Sequence, residues 1–207
     1  AQSCVHNNTD KFANFWVHNG FVTFNKEKMS KSLGNISTIE NANNKYSGQV
    51  VRLSLLSAHY KQPLDWNENL LLEQSKTLDK WYSMYSKNYS EKTPDCFNAL
   101  LDDMNTPLYI SKLHELFKQS LENEDKKKEF NKACRLIGLF HEDISSREMF
   151  KKSKIQMSKE TILAKLKDRD IAKKNGNYKL ADKIRDELNK QGIDIKDEKG
   201  KTTWDYK

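Results

Sequence analysis

Short apolar runs in the first third of the chain predict one strand and two helices. Residues 21–24 alternate between apolar and polar as a half-buried strand does. Ser37 or Thr38 can cap a short helix over Ile39–Lys45. The apolar run 50–56 has a length and flanks that suit either a helix or a strand, and we favour a helix.

Apolar residues then recur at helical spacing through residues 68–145. Thr106 can cap one helix with Pro107 as its first residue, and Gly138 can end another. Three stripes indicate three or four helices in a small bundle. The stripes are Leu71, Leu78, Trp81 and Tyr85; then Leu113, Leu116, Phe117 and Leu121; then Phe130, Cys134 and Ile137.

The C-terminal end predicts a helical hairpin followed by a two-stranded ribbon. A basic, serine-bearing stretch, 145–158, is interpreted as a linker. Ser158 can cap a helix that ends at the Asn-Gly-Asn sequence 175–177, and a second helix covers 178–191. Gly192 ends it, and a turn at 199–201 joins two short strands. The fold class is therefore mainly α, with a small α+β module at the end.

The net charge of +7 is confined to one end of the 207-residue chain. Residues 147–207 hold 18 basic and 11 acidic residues, whereas charges in 1–146 cancel. Such an excess indicates either a surface that faces phosphate or a solvated lysine-rich tail, and charge alone does not separate the two.

Composition excludes several other classes of protein. Apolar residues make up 36% of the chain and include four tryptophans, which suits a globular protein and not a disordered one. No apolar run reaches the length of a membrane span. Cys4, Cys96 and Cys134 lie far apart without zinc-ligand spacing, so we expect reduced thiols in a cytoplasmic protein. Because Ala1 is neither Met nor part of a signal pattern, we expect an internal start.

The strongest local signal is the sequence Lys-Met-Ser-Lys-Ser at residues 28–32, followed by Leu-Gly-Asn. It copies the KMSKS signature of class I aminoacyl-tRNA synthetases. The resemblance implies an ATP-binding loop made of Lys28, Met29, Ser30, Lys31 and Ser32, in which Lys31 is the principal ATP-contacting lysine and Lys28 assists. Lysine ammonium groups can follow phosphate oxygens as negative charge accumulates during amino-acid activation.

The flanking sequences resemble the cysteinyl branch of that class. Each could be ordinary packing alone, but together they cover nearly the whole chain in the family's order. They are Ala1-Gln2-Ser3, the Phe-Trp-Val-His-Asn-Gly-Phe-Val stretch 15–22, Arg52 with His59-Tyr60 and Pro63-Leu64, and the Asp-Asp-Met-Asn-Thr-Pro stretch 102–107. Val17 stands where the family has Met, and Lys61 stands where it has Arg.

Residues 160–204 resemble the family's anticodon-reading module. By that resemblance, the tRNA anticodon contacts are Lys173, Tyr178, Asp182, Arg185 and Asp197. Positions 178, 182 and 185 share one helical face, which offers a stacking platform, an acceptor and a forked donor to unpaired bases. Tyr178 replaces the family's Trp and Lys173 replaces an Arg. An ordinary solvated ion pair is the simpler interpretation of Asp182 and Arg185.

The resemblance divides the chain into four parts. Residues 1–36 are expected to end a Rossmann-type catalytic domain with its KMSKS loop, 37–67 to form a linker or stem-contact unit, 68–145 to form the helical bundle, and 146–207 to form the anticodon-binding module. The implied protein is a monomeric cysteine–tRNA ligase that uses cysteine, ATP with Mg²⁺, and tRNA-Cys. We expect this chain to be an inactive fragment alone, because the family's zinc ligands and its His-x-Gly-His loop belong upstream of Ala1.

Two alternatives stay open. A related cysteine ligase with a small-molecule acceptor would keep the activation loop but lack residues 160–204. A non-catalytic tRNA-binding protein built from the same modules would not need the lysines of the KMSKS loop.

Overall fold

The computed structural model describes residues 2–30, 38–153, 155, 157–198 and 201–206. The chain divides into two compact units, residues 1–139 and 140–207. The expected four-part division stays a prediction, although one of its boundaries is crossed by the sheet described next.

A small three-stranded sheet lies in the first unit, after the short helix α1 (Gln2–His6). The strands β1 (Val22–Phe24) and β2 (Glu27–Lys28) form an antiparallel hairpin, and β3 (Leu64–Trp66) pairs parallel with β1 on the other side. The strand predicted within residues 21–24 is therefore confirmed. Because β3 comes from the predicted linker 37–67, this segment completes the sheet of the preceding one.

Two helices connect β2 to β3. Helix α2 (Ile39–Lys45) begins after Thr38, whose side chain accepts a hydrogen bond from the Asn41 amide, so Thr38 provides the predicted cap. Helix α3 (Gly48–Leu56) confirms the helical interpretation of the run 50–56, and Val50 and Leu53 are buried on one of its faces.

The bundle consists of α4 (Glu68–Tyr82), α5 (Asn98–Leu101), α6 (Thr106–Ser120) and α7 (Glu124–Leu136), with a 3₁₀ turn over Asp95–Phe97. Most residues of the three predicted stripes fill its core, where aromatic rings meet edge to face. The Trp81 and Phe130 ring centroids lie 5.8 Å apart, and those of Phe117 and Phe130 lie 5.6 Å apart. Other buried members are Leu71, Leu78, Leu113, Leu116, Cys134 and Ile137.

Three details of the predicted bundle are wrong, each at a helix end. The side chain of Asn105, not of Thr106, caps α6, because its amide oxygen accepts from the Leu108 amide. Leu121 follows the last turn of α6 and is exposed. Helix α4 ends at Tyr82, so Tyr85 lies beyond it.

The second unit contains α8 (Ile144–Ser153), α9 (Lys159–Lys174), α10 (Tyr178–Lys190) and the hairpin of β4 (Ile193–Glu198) with β5 (Lys201–Tyr206). Its core is formed by four buried residues, one from each of α9 and α10 and two from β4: Ile162, Leu188, Ile193 and Ile195. The helical hairpin and ribbon agree with expectation, including the cap by Ser158. The predicted linker 145–158 is wrong for most of its length, because residues up to Ser153 continue α8.

Candidate functional sites

The β1–β2 hairpin leads directly into the predicted ATP-binding loop. Lys28 is the last residue of β2, lies opposite Thr23, and is exposed. Met29 and Ser30 follow it and are partly buried. Lys31 and Ser32 lie outside the described residues. The structure therefore gives the start of the loop, and the loop's assignment to ATP stays a prediction.

The carboxylate of Asp65 collects hydrogen bonds at the base of this hairpin. The Thr23 hydroxyl donates to Oδ1 at 2.9 Å, the backbone amide of Lys26 donates to the same oxygen, and the Asn67 side-chain amide donates to Oδ2 at 2.9 Å. The backbone bond from Lys26, followed by those from Asn67 and Thr23, lowers the pKa of Asp65. Nothing in the sequence around Leu64-Asp65-Trp66 singles out this carboxylate.

Two of the family-like stretches meet at Asp103. The Lys61 ammonium donates to Oδ2 at 2.6 Å and the Tyr60 hydroxyl donates to Oδ1 at 2.7 Å, while the His59 ring lies 2.9 Å from the Asp103 carbonyl oxygen. These bonds, first that of Lys61 and then that of Tyr60, lower the pKa of Asp103. Asp103 and Met104 both have φ of 51°, an unusual backbone conformation that this cluster holds.

A second saturated carboxylate, Asp197, lies in the C-terminal unit. Arg169 donates to both of its oxygens, at 3.0 and 2.7 Å, the Lys173 ammonium adds a bond of 2.8 Å to Oδ2, and the Thr202 hydroxyl adds one of 2.8 Å to Oδ1. Four donors match the four acceptor positions of a carboxylate. The bonds from Arg169 and then Lys173 hold the pKa of Asp197 well below its usual range.

Arg169 is the buried centre of this cluster, with 3% of its side chain exposed. Hydrogen bonding to Asp197 raises the pKa of Arg169, and the charge of Asp182 acts in the same direction. Arg169 was not among the predicted site residues, although it belongs to the family-like pattern. The predicted residues Lys173 and Asp197 are brought together, but by an ion pair within the module. Their contact with tRNA stays a prediction.

The other three predicted anticodon residues lie on α10 and face solvent. Tyr178 is the first residue of the helix, after the cap by Asn177, and 67% of it is exposed. Asp182 and Arg185 follow one and two turns later and are also exposed. An unpaired base could therefore approach the Tyr178 ring without any rearrangement of the core, which uses the opposite residues Ala181 and Leu188.

No metal centre is evident in the part of the chain that the structure describes. No group of three or more His, Cys, Asp or Glu residues is placed there so as to hold a metal ion. The residues present thus do not fit the zinc ion that the resemblance implies, and no chemical step is assigned to it. Among the same residues, no helix has the length and apolar character needed to cross a membrane.

Comparison with protein families gives two matches. The model described as the tRNA synthetases class I (C) catalytic domain matches residues 1–77, and the cysteinyl-tRNA ligase anticodon binding domain matches residues 159–204. These matches include the hairpin with Lys28 at one end and the Asp197 cluster with α10 at the other. The chain is a class I aminoacyl-tRNA synthetase sequence.

Individual relatives narrow the class. The chain is similar to the cysteine–tRNA ligases of Pelagibacter ubique (43% identity), Wolbachia pipientis wMel (41%) and Bradyrhizobium diazoefficiens (36%). The alignments cover 100%, 93% and 100% of this chain, and 46%, 45% and 44% of those proteins. The chain belongs to the cysteinyl-tRNA synthetase family, and it spans just under half the length of these relatives.

Proposed function

We propose that this chain supplies the ATP-activating loop and the tRNA-reading parts of a cysteine–tRNA ligase. The intact protein would activate cysteine with ATP and Mg²⁺ and transfer it to tRNA-Cys. One observation carries the proposal: a KMSKS loop at the end of an ordered hairpin and a cysteinyl-type anticodon module occur in one chain, in the family's order.

The loop acts by electrostatics. Activation joins the carboxylate of cysteine to the α-phosphate of ATP and releases pyrophosphate, so negative charge on the phosphates changes position during the step. Lys28 is a compact cation at the edge of a small sheet, and Lys31 follows three residues later. Contacts that form mainly in the transition state accelerate the step, whereas equal contacts to bound ATP would not.

The anticodon module acts by stacking and hydrogen bonding. The exposed ring of Tyr178 offers a platform for one base, and Asp182 and Arg185 extend the same exposed face along α10. The positive charge of the C-terminal unit attracts the RNA backbone without regard to sequence. We further propose that the segment before β2 completes a Rossmann-type domain in the intact protein.

The first experiment measures binding of this chain to tRNA-Cys and to a copy with a changed anticodon, over a series of salt concentrations. We expect a preference for the native anticodon that survives moderate salt, because base contacts depend less on salt than phosphate contacts do. Equal binding to both RNAs that disappears with salt would reduce the module to a general basic surface.

Two variants identify the face that reads the base. Tyr178→Ala removes the stacking platform, and we expect it to lower the preference for the native anticodon about tenfold. Lys190→Gln, at an exposed lysine on the same helix, is the control. It should weaken binding to both RNAs equally, because it removes charge and no base contact.

A further inference from the structure

The start of the ATP-activating loop is fixed by a strained two-residue turn. Asn25 and Lys26, which connect β1 to β2, have φ of 52° and 67°. Positive φ at both central residues suits the right-handed twist of a tight hairpin, but it is costly for residues other than glycine. The turn therefore needs contacts that hold it, and Lys28 follows only two residues after it.

Those contacts come from β3 and from one carboxylate in particular. The Asn25 amide donates to the Trp66 carbonyl oxygen at 3.4 Å, and the Lys26 amide donates to Asp65. The Thr23 hydroxyl donates to the same Asp65 oxygen, and Thr23 is the residue directly opposite Lys28. Asp65 thus holds both the turn and the strand position that faces Lys28.

The second oxygen of Asp65 is bonded to the start of the helical bundle. It accepts from the side-chain amide of Asn67, whose own oxygen accepts from the Leu70 amide and caps α4. One carboxylate therefore joins the first residues of the bundle to the hairpin that carries Lys28. A neutral amide at position 65 could still accept from Lys26, but its NH₂ group would face the NH₂ group of Asn67.

We propose that Asp65 is a positioning residue for the ATP-activating loop: its carboxylate fixes the Asn25–Lys26 turn and ties the strand that ends at Lys28 to the start of α4. The proposal rests on the proposed function of the loop. Asp65 itself need not touch ATP, since its contacts are with Thr23, Lys26 and Asn67.

The first test follows the hairpin by NMR in this chain. In Asp65→Ala, amide exchange at Lys26 should become at least tenfold faster, because a bond to a charged acceptor is lost. Asn67→Ser keeps a capping oxygen for α4 but removes one donor, so it should raise the pKa of Asp65 towards the ordinary range and leave Lys26 protected. Glu73→Gln, an exposed carboxylate on α4, is the charge control and should change neither value.

The second test measures ATP–pyrophosphate exchange in a full-length ligase that contains these residues. We expect Asp65→Ala to lower kcat about tenfold with little change in KM for cysteine, as Lys28→Ala does more strongly, while Glu73→Gln keeps full activity. Should Asp65→Ala fail to fold, Thr23→Val replaces it, because it removes one contact and keeps a β-branched strand residue.

The outcomes separate the two proposals. Loss of exchange in Lys28→Ala with normal kcat in the position 65 or position 23 variant would overturn the positioning role and leave the function of the loop standing. Normal exchange in Lys28→Ala would overturn the function of the loop, and with it the positioning role. An unchanged Lys26 amide in Asp65→Ala would by itself show that the turn does not depend on this carboxylate.

Discussion

Replacing Asp197 with alanine should destabilise the C-terminal unit more than replacing its partner Arg169 does. The two side chains share a two-bond ion pair, but their surroundings differ. Arg169 is 3% exposed, whereas 37% of the Asp197 side chain is exposed. Asp197→Ala therefore leaves a cation without its carboxylate away from water. Arg169→Met leaves a carboxylate that keeps Lys173, Thr202 and solvent.

The size of the effect follows from this asymmetry. Breaking a fully buried ion pair costs about 3–5 kcal/mol, and pairs open to water are worth about 1 kcal/mol or less. Because Asp197 is partly exposed, we expect Asp197→Ala to cost about 2 kcal/mol and Arg169→Met about 1 kcal/mol. The double variant should be more stable than Asp197→Ala alone, since methionine leaves no buried charge.

Amide hydrogen exchange at the core residues Ile162, Leu188 and Ile195 measures the free energy of opening of this unit, without a two-state assumption for the whole chain. Thr202→Val, which removes one neutral donor from Asp197, is the control. A coupling energy between positions 169 and 197 below about 0.5 kcal/mol would refute the reasoning. So would a larger loss in Arg169→Met than in Asp197→Ala.

Three further predictions concern stability. The contribution of Asp197 should be constant above its ordinary pKa of about 3.8 and fall at lower pH, because its folded pKa is depressed; hydrogen exchange from pH 7 to 3 measures this. Gly138→Ala should cost more than Gly176→Ala by thermal unfolding: φ is +76° and +72°, but only the first new Cβ meets a neighbour, 3.1 Å from the Arg52 guanidinium. Leu188→Ala should cost about 2–5 kcal/mol of C-terminal unit stability, measured by urea unfolding, and a loss below 1 kcal/mol would contradict its core position.

Helices with a clear apolar period were predictable from the sequence. The residues Leu78, Trp81, Phe117 and Phe130 fall on periodic stripes, and burial of those stripes is the main force that places the helices. Helix α8 was missed because its basic and serine-rich sequence resembles a linker. Helix ends were predicted less well, since Asn105 and Thr106 are both good capping residues and the local sequence does not choose between them.

The contacts of the candidate sites were harder to predict than their residues. The KMSKS pentapeptide and the α10 face can be found in the sequence, because each is a local pattern. Asp65 contacts residues about 40 positions earlier in the chain, and Asp197 contacts Arg169 and Lys173 from the ribbon. Such contacts depend on how strands and helices pack, and neither periodicity nor residue type gives that information.

The way Asp197 divides its lone pairs explains why a lysine serves at position 173, where the family-like pattern has an arginine. Arg169 already uses one position on each oxygen, and Thr202 takes a third. One acceptor position remains, so a second planar fork would have only a single oxygen to address. A point cation is enough there, and the exchange of arginine for lysine gives up a geometry that this carboxylate has no room to use.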